Sequence, residues 1–305
     1  MDVVVRGQAL IGESPVWDDR AGKLLWVDVL RGEVHASDVD TGSDLFMRTG
    51  TSVGALILRR GPGLVLGAGD GFALLEKLPW EMPAGSQGEL RPEWIWRLGS
   101  GDLDRCGPSG LPVRMNDAKC DPNGRLWGGT MTVDRVPGAC HLYRLDPDGK
   151  IRTVLDGVTL SNGLAWSPDG RTMYYIDTPQ RRVDAFDFDA GTGTLARRRV
   201  LIDMSEAVGN PDGMTVDADG CLWIAIAHGA AVKRYTPKGA IDRTLEFPVR
   251  KVTSCTFGGS KLDVLLVTSA CVGMSEQELV AEPLAGALFA CDVGSTGIPP
   301  SRFGA

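Results

Sequence analysis

Three stretches of this 305-residue chain place a short oxygen-bearing side chain at one fixed distance ahead of a glycine turn. Asp212 precedes Gly220 by eight residues, Asn162 precedes Gly170 by eight and Asn116 precedes Gly124 by eight. A looser copy near the start sets Glu13 nine residues before Gly22. If these repeats are arranged around an axis, the four side chains meet. Two carboxylates and two amides offer only oxygen, which suits a hard divalent ion such as Ca²⁺, Mg²⁺ or Mn²⁺. Two acids facing each other across a narrow space repel unless a cation neutralises them. Turn chemistry alone accounts for many Asn-Gly and Pro-Asp-Gly sequences. The constant offset from a second, separate turn is what favours a site here.

Other chemistries find less support. Ser14, Ser161 and Ser254 have no histidine partner in the pattern, and the chain has only three histidines. His35 and His141 fall in strand-like runs, and His228, at a strand end, could touch a ligand but reads first as a structural residue. This disfavours both a Ser-His-Asp triad and a histidine-rich zinc site. Asp217-Ala218-Asp219-Gly220 lacks the later ligands and the helix of a calcium loop, so it reads as a hairpin turn. Seven cysteines, odd in number and never spaced Cys-x-x-Cys, predict buried reduced thiols in a cytoplasmic protein.

The elements that must carry these residues are short strands. Helical periodicity is nearly absent, while 40 Gly and 18 Pro punctuate alternating runs. An apolar strand recurs at Lys23–Val29, Gly63–Gly69, Arg125–Met131, Arg171–Thr178, Cys221–Ala227 and Lys261–Ala270, each followed by a further strand. Three of these units add a more polar fourth strand, at Ile151–Leu155, Arg197–Ile202 and Ile241–Phe247. Such repetition predicts an all-β fold, a six-bladed β-propeller with four-stranded blades, spanning residues 1–305 as one domain. The last unit lacks its fourth strand, and Val3–Ala9 has no unit of its own, so the N-terminal strand is expected to complete the final blade. Leu78–Arg91 reads as an insertion in the second blade, either a lid or a surface excursion.

The net charge of −7, with no basic run, argues against nucleic acid or anionic membrane partners. No run of eighteen apolar residues and no secretory pattern at Met1–Arg6 is present. A cytoplasmic monomer or weak homodimer acting on a small molecule is the expectation.

Several ordered motifs together resemble one family. They are Gly12-Glu13-Ser14-Pro15, Arg114-Met115-Asn116-Asp117, Gly129-Thr130-Met131, Ser161-Asn162-Gly163-Leu164, Pro211-Asp212-Gly213-Met214 and Thr253-Ser254-Cys255-Thr256-Phe257-Gly258-Gly259. The chain resembles the SMP-30/gluconolactonase/luciferin-regenerating-enzyme family over essentially its whole length. The resemblance implies one axial divalent metal held by Glu13, Asn162 and Asp212, with Ca²⁺ first and Mg²⁺, Mn²⁺, Zn²⁺ or Fe²⁺ as alternatives. It implies that Arg114 and Asn116 hold substrate, and Asp134 matches the family's acidic substrate-contacting position loosely. The activity so implied is metal-dependent opening of a sugar-type lactone, with Asp212 as both ligand and base. Two rivals are the same site acting on another ester, an organophosphate or a biosynthetic lactone-like intermediate, and a propeller that binds metal or protein without turnover.

Overall fold

A computed structural model describes residues 1–76, 78, 81, 91–99 and 112–304. The N-terminal strand β1 (Asp2–Val5) is followed by five complete four-stranded antiparallel blades. Blade 1 comprises β2 (Gly12–Asp18), β3 (Lys23–Asp28), β4 (Glu33–Ser37) and β5 (Asp44–Arg48). Blade 2 comprises β6 (Val53–Leu58), β7 (Leu64–Ala68), β8 (Gly71–Leu75) and β9 (Glu93–Arg97). Blade 3 is built from β10 (Val113–Cys120), β11 (Leu126–Thr132), β12 (Cys140–Leu145) and β13 (Ile151–Val158). Blade 4 contains β14 (Ser161–Trp166), β15 (Thr172–Asp177), β16 (Arg182–Asp189) and β17 (Thr194–Asp203). Blade 5 contains β18 (Asn210–Val216), β19 (Leu222–Ala227), β20 (Ala231–Tyr235) and β21 (Ile241–Glu246). Blade 6 has β22 (Val252–Gly258), β23 (Val264–Ser269) and β24 (Leu288–Asp292), and β1 supplies its outer strand.

The pairing of Val3 with Phe289 and Val5 with Leu288 is the ring closure expected from the unmatched N-terminal strand. The innermost strands touch in one closed cycle, β2 to β6, β10, β14, β18, β22 and back to β2. The six-bladed propeller predicted from the repeats is therefore the fold.

Burial falls from the axis outwards. β6 and β14 are wholly buried, whereas β17 and β21 are mostly exposed and β13 is half exposed. This explains why inner strands read as apolar runs and outer ones as polar. Aromatic rings fill the wedges between blades. Trp127 of blade 3 meets Trp166 and Phe188 of blade 4 edge-on, and Trp223 meets Phe257 across blades 5 and 6.

Two hairpin turns repeat one device. Asp121 accepts from the Trp127 indole at 3.1 Å and Asp217 from the Trp223 indole at 2.9 Å, six residues on in each case. The Asp217 turn is thus a hairpin, as expected, and its carboxylate also accepts from Arg234 at 2.8 Å.

The short helix α1 (Glu276–Ala281) begins at a Ser275–Glu278 capping box. The insertion at 78–91 lies almost wholly outside the described residues, as does Cys106. The other six cysteines are buried.

After β24 the chain crosses the ring instead of leaving it. Ala218 N donates to Thr296 O at 2.8 Å, Phe303 N to Leu58 O at 2.8 Å and Gly304 N to Gly124 O at 3.1 Å. This tail therefore runs from blade 6 past blade 5 to blades 2 and 3, over the end of the axis where the first strands finish. No helix of the described chain is long and apolar enough to cross a membrane.

Candidate metal and active site

Every innermost strand carries a register irregularity at the same depth. Pairing with the second strand slips between Glu13 and Val16, Val53 and Ala55, Met115 and Ala118, Asn162 and Leu164, Pro211 and Met214, and Val252 and Ser254. A bulge re-aims the side chains it leaves unpaired. Here the irregularities leave Asn116 and Asp212 without a register partner and fall directly after Asn162, which pairs with Ile176. Glycines beside them permit close strand approach. A Cβ on Gly163 would lie 2.7 Å from the Asp212 carbonyl oxygen, and one on Gly54 would lie 2.5 Å from the Asn116 carbonyl oxygen.

The pairing also refines the repeat alignment. Met115 and Pro211 stand at the register position of Glu13, each pairing two residues beyond the partner of Ala118, Met214 or Val16. Glu13 therefore sits one step ahead of Asn116 and Asp212, which explains its nine-residue spacing. Ser14 follows it in left-handed backbone at φ 49°, and its N–H donates to Glu13 Oε2 at 2.9 Å. The sequence reading that gave all four side chains one equivalent position is corrected in this respect.

The amides are held by neighbours. Asn162 is buried, and its Nδ2 donates to Thr178 Oγ1 at 2.9 Å. Thr178 in turn donates to the Pro211 carbonyl at 2.9 Å, tying blade 4 to the strand that carries Asp212. Asn116 Nδ2 donates to Ser161 O at 2.8 Å and approaches Asn162 Oδ1 at 3.4 Å. Arg114 Nη1 donates to Asn116 Oδ1 and to Met115 O, both at 2.9 Å. Arg114, Asn116 and Asn162 are one hydrogen-bonded chain.

The carboxylates are electrostatically uncomfortable. Burial pushes the Asp212 carboxyl up to about 8, and the charge of Asp117 adds to the rise, while the Asn162 amide pulls the other way. Glu13 is raised well above its ordinary value by burial, then by Asp212 and Asp117. Burial lowers Arg114 to about 10, which leaves it charged at neutral pH, with Glu13 opposing that shift. Among the described residues neither Glu13 nor Asp212 makes an ion pair, so Arg114 acts on Glu13 from beyond contact distance.

This environment fits a divalent cation. Glu13 and Asp212 would supply the charge and Asn162 a neutral oxygen, a hard-ion donor set. The described residues contain no cluster of three or more His, Cys, Asp and Glu side chains able to hold a metal. A cation at the axis thus needs the amide as well as both acids.

Asp134, the remaining residue singled out from sequence, is exposed in the turn after β11, on the same face. Sequence reasoning missed Thr178, Asp117 and Lys119. Asp117 follows Asn116 directly and lines a cavity of about 210 Å³ at the opposite end of the channel, together with Lys119, Ser254 and Trp166. Residues 298–301 of the tail close that cavity. Lys119 Nζ donates to Met214 O at 2.7 Å, placing an ammonium beneath the acids. Its position three residues after Asn116, at an inward-facing strand site, was the available signal.

The profile of the SMP-30/gluconolactonase/LRE-like region matches residues 11–271. The chain belongs to this family. Regucalcin of Danio rerio is 36% identical over 307 residues, covering 99% of this chain and 98% of its own. The Bacillus subtilis protein YvrE, provisionally named a sugar lactone lactonase, is 34% identical over 309 residues, covering 99% of each chain. Among solved structures, a calcium-binding regucalcin from Agrobacterium tumefaciens superposes with a TM-score of 0.88 at 27% identity, covering 99% of this chain and 96% of that one. The family resemblance drawn from the motifs therefore holds over the whole propeller.

Proposed function

We propose that this family member is a divalent-cation-dependent lactonase that opens a sugar-type lactone by water attack. The observation that carries the reading is the convergence of Glu13 and Asp212, from blades 1 and 5, as two desolvated carboxylates without an ion-pair partner among the described residues. Retaining two such acids is costly unless a ligand uses them. When bound, a divalent cation supplies Lewis-acid polarisation of the ring carbonyl and stabilises the oxyanion. The names borne by the relatives, calcium-binding regucalcin and sugar lactone lactonase, support Ca²⁺ as the ion and a lactone as the substrate.

Asp212 accepts a proton from the attacking water and returns it to the ring oxygen as the acyl C–O bond breaks. The product is a hydroxy acid, which releases one proton at neutral pH. General-base help of this kind contributes on the order of 10²–10⁴ in rate. Arg114, braced by Asn116, presents the rest of its guanidinium to substrate oxygens. Thr178 holds the Asn162 amide in place.

The test is proton release from a panel of aldonolactones by protein stripped with chelator and re-supplied with single divalent ions. Turnover should vanish on stripping and return with one ion. Asp212→Ala should keep the fold and lose at least about a hundredfold in kcat. Full turnover by that variant, or metal-independent turnover, refutes the reading. No turnover together with no ion binding would leave a non-catalytic propeller.

A further inference from the structure

First strands begin, and second strands end, on the face where Glu13, Asn162 and Asp212 open. The turns that follow β11, β15 and β19 therefore overhang that face. Each holds a nitrogen-rich side chain in left-handed backbone, Arg135 at φ 54°, Arg181 at 49° and His228 at 61°. Side chains adopt this conformation at a cost. The fold explains Arg181, whose guanidinium donates to Asn210 Oδ1 at 3.1 Å and to the carbonyls of Met204 and Ala207. Arg135 and His228 have no such use. Both are exposed, and among the described residues neither side chain makes a hydrogen bond or an ion pair. Their backbone closes turns, Arg135 N donating to Thr132 O and Gly229 N to Ile226 O, both at 3.0 Å. It is therefore the side-chain donors without a protein partner, at the mouth of a site, that are available to orient a ligand.

Charge at the mouth agrees. Arg135 acts electrostatically on Asp212 and Arg114 within the site and on His228 across it. Burial, then Lys251, Arg135 and Arg250, hold His228 below its ordinary value, so it offers a neutral N–H donor. The opposing charges are Glu13, Asp117 and Asp212 on the floor and Asp134 beside Arg135. A bound divalent cation would offset the floor.

We infer that Arg135 and His228 form an anion-binding rim, and that the substrate is a sugar lactone carrying a carboxylate or phosphate remote from its ring carbonyl. The ring-opening half of this statement rests on the lactonase reading, whereas the rim does not. The arginine fork donates two parallel N–H groups to either oxyanion, and the imidazole adds a third. A neutral aldonolactone presents only a hydroxymethyl group there.

The experiment compares kcat/KM of the metal-loaded, full-length protein for three lactones of one ring type: neutral, terminally carboxylated and terminally phosphorylated. The better anionic substrate, whichever it is, should exceed the neutral one about tenfold or more. Arg135→Asn should reduce that anionic-to-neutral ratio about tenfold, chiefly through KM, as loss of a charge-assisted hydrogen bond implies. Asn is well tolerated in left-handed backbone, so this variant should melt no lower than the parent. Arg135→Lys should recover part of the ratio. A ratio near one in the parent protein, or one unchanged in Arg135→Asn, overturns the proposal. If no lactone is opened, the lactonase reading fails, and calorimetric titration with an aldarate and an aldonate tests the rim alone. Tighter aldarate binding that disappears in Arg135→Asn supports it, and equal binding of the two overturns it.

Discussion

Stripping the cation should turn pH into a destabilising variable. In the cation-free protein Asp212 keeps its proton up to about pH 8 against an ordinary value of 3.8, because burial and the Asp117 charge disfavour its ionised form. The unfolded chain releases that proton near pH 4, so the native state binds more protons between about pH 4 and pH 8. Stability must therefore fall as pH rises through that window. Each pH unit in it costs roughly 1.4 kcal/mol per proton, which puts the loss from this carboxyl at up to about 5 kcal/mol by pH 8. Urea titrations of chelated protein at pH 5, 6.5 and 8 measure the effect. Other buried acids such as Asp117 titrate in the same sense, so the difference between the parent and Asp212→Asn isolates the contribution of Asp212. The variant should exceed the parent by about 1–2 kcal/mol at pH 5 and by about 5 kcal/mol at pH 8, and gain little from Ca²⁺. The parent should regain about 2.7 kcal/mol at a hundredfold excess of Ca²⁺ over Kd. Parallel pH profiles for the two proteins would refute the account of two strained acids awaiting a cation.

Gly163→Ala drives a Cβ to within 2.7 Å of both the Asp212 carbonyl oxygen and Ile176 Cδ1. It should cost about 1–3 kcal/mol and weaken Ca²⁺-induced stabilisation, read by thermal melts with and without the ion. Removing residues 1–6 unpairs β24 and leaves a sheet edge open. A lower melting temperature and concentration-dependent aggregation by light scattering should follow. Asp217→Asn disturbs a buried carboxylate that Arg234 and Trp223 share. Because Arg234 keeps Asp242 at 2.8 Å, the loss should sit near the lower end of about 3–5 kcal/mol, with kcat/KM unchanged at temperatures where the variant stays folded.

Repetition made the ring readable, because each blade must bury its own inner strands and turn back on glycine at regular intervals. The unmatched strand at the N-terminus and the missing one at the end were likewise visible as a surplus and a deficit. The fourth strand of blade 1, Asp44–Arg48, escaped notice, since three of its five residues are exposed and it carries no apolar alternation. The nine-residue spacing of Glu13 already marked its offset of one register step from Asn116 and Asp212. What no residue type announces is the left-handed backbone of Ser14, whose N–H donates to the Glu13 carboxylate. The tail across the channel was equally hidden. Its Ile298-Pro299-Pro300-Ser301 stretch looks like a loose end until it is seen lining the cavity, with the flanking Thr296, Phe303 and Gly304 bonded through their backbone to blades 5, 2 and 3.

The closure of blade 6 by β1 also sets the timing of folding. Val3 finds its partner at Phe289, nearly a full chain length away, so on the ribosome blades 1 to 5 can stack while the ring stays open. During that interval the N-terminal strand is without its sheet, and β22, on completion, has no neighbour finished on its outer side. Only after β24 has left the exit tunnel can the seam zip shut, and only then can Glu13 of blade 1 and Asp212 of blade 5 be held in fixed register. Contacts of such long range form slowly, and open strand edges invite association meanwhile. The proposed metal site would thus be among the last features to mature, and early addition of a cation should not substitute for a closed ring.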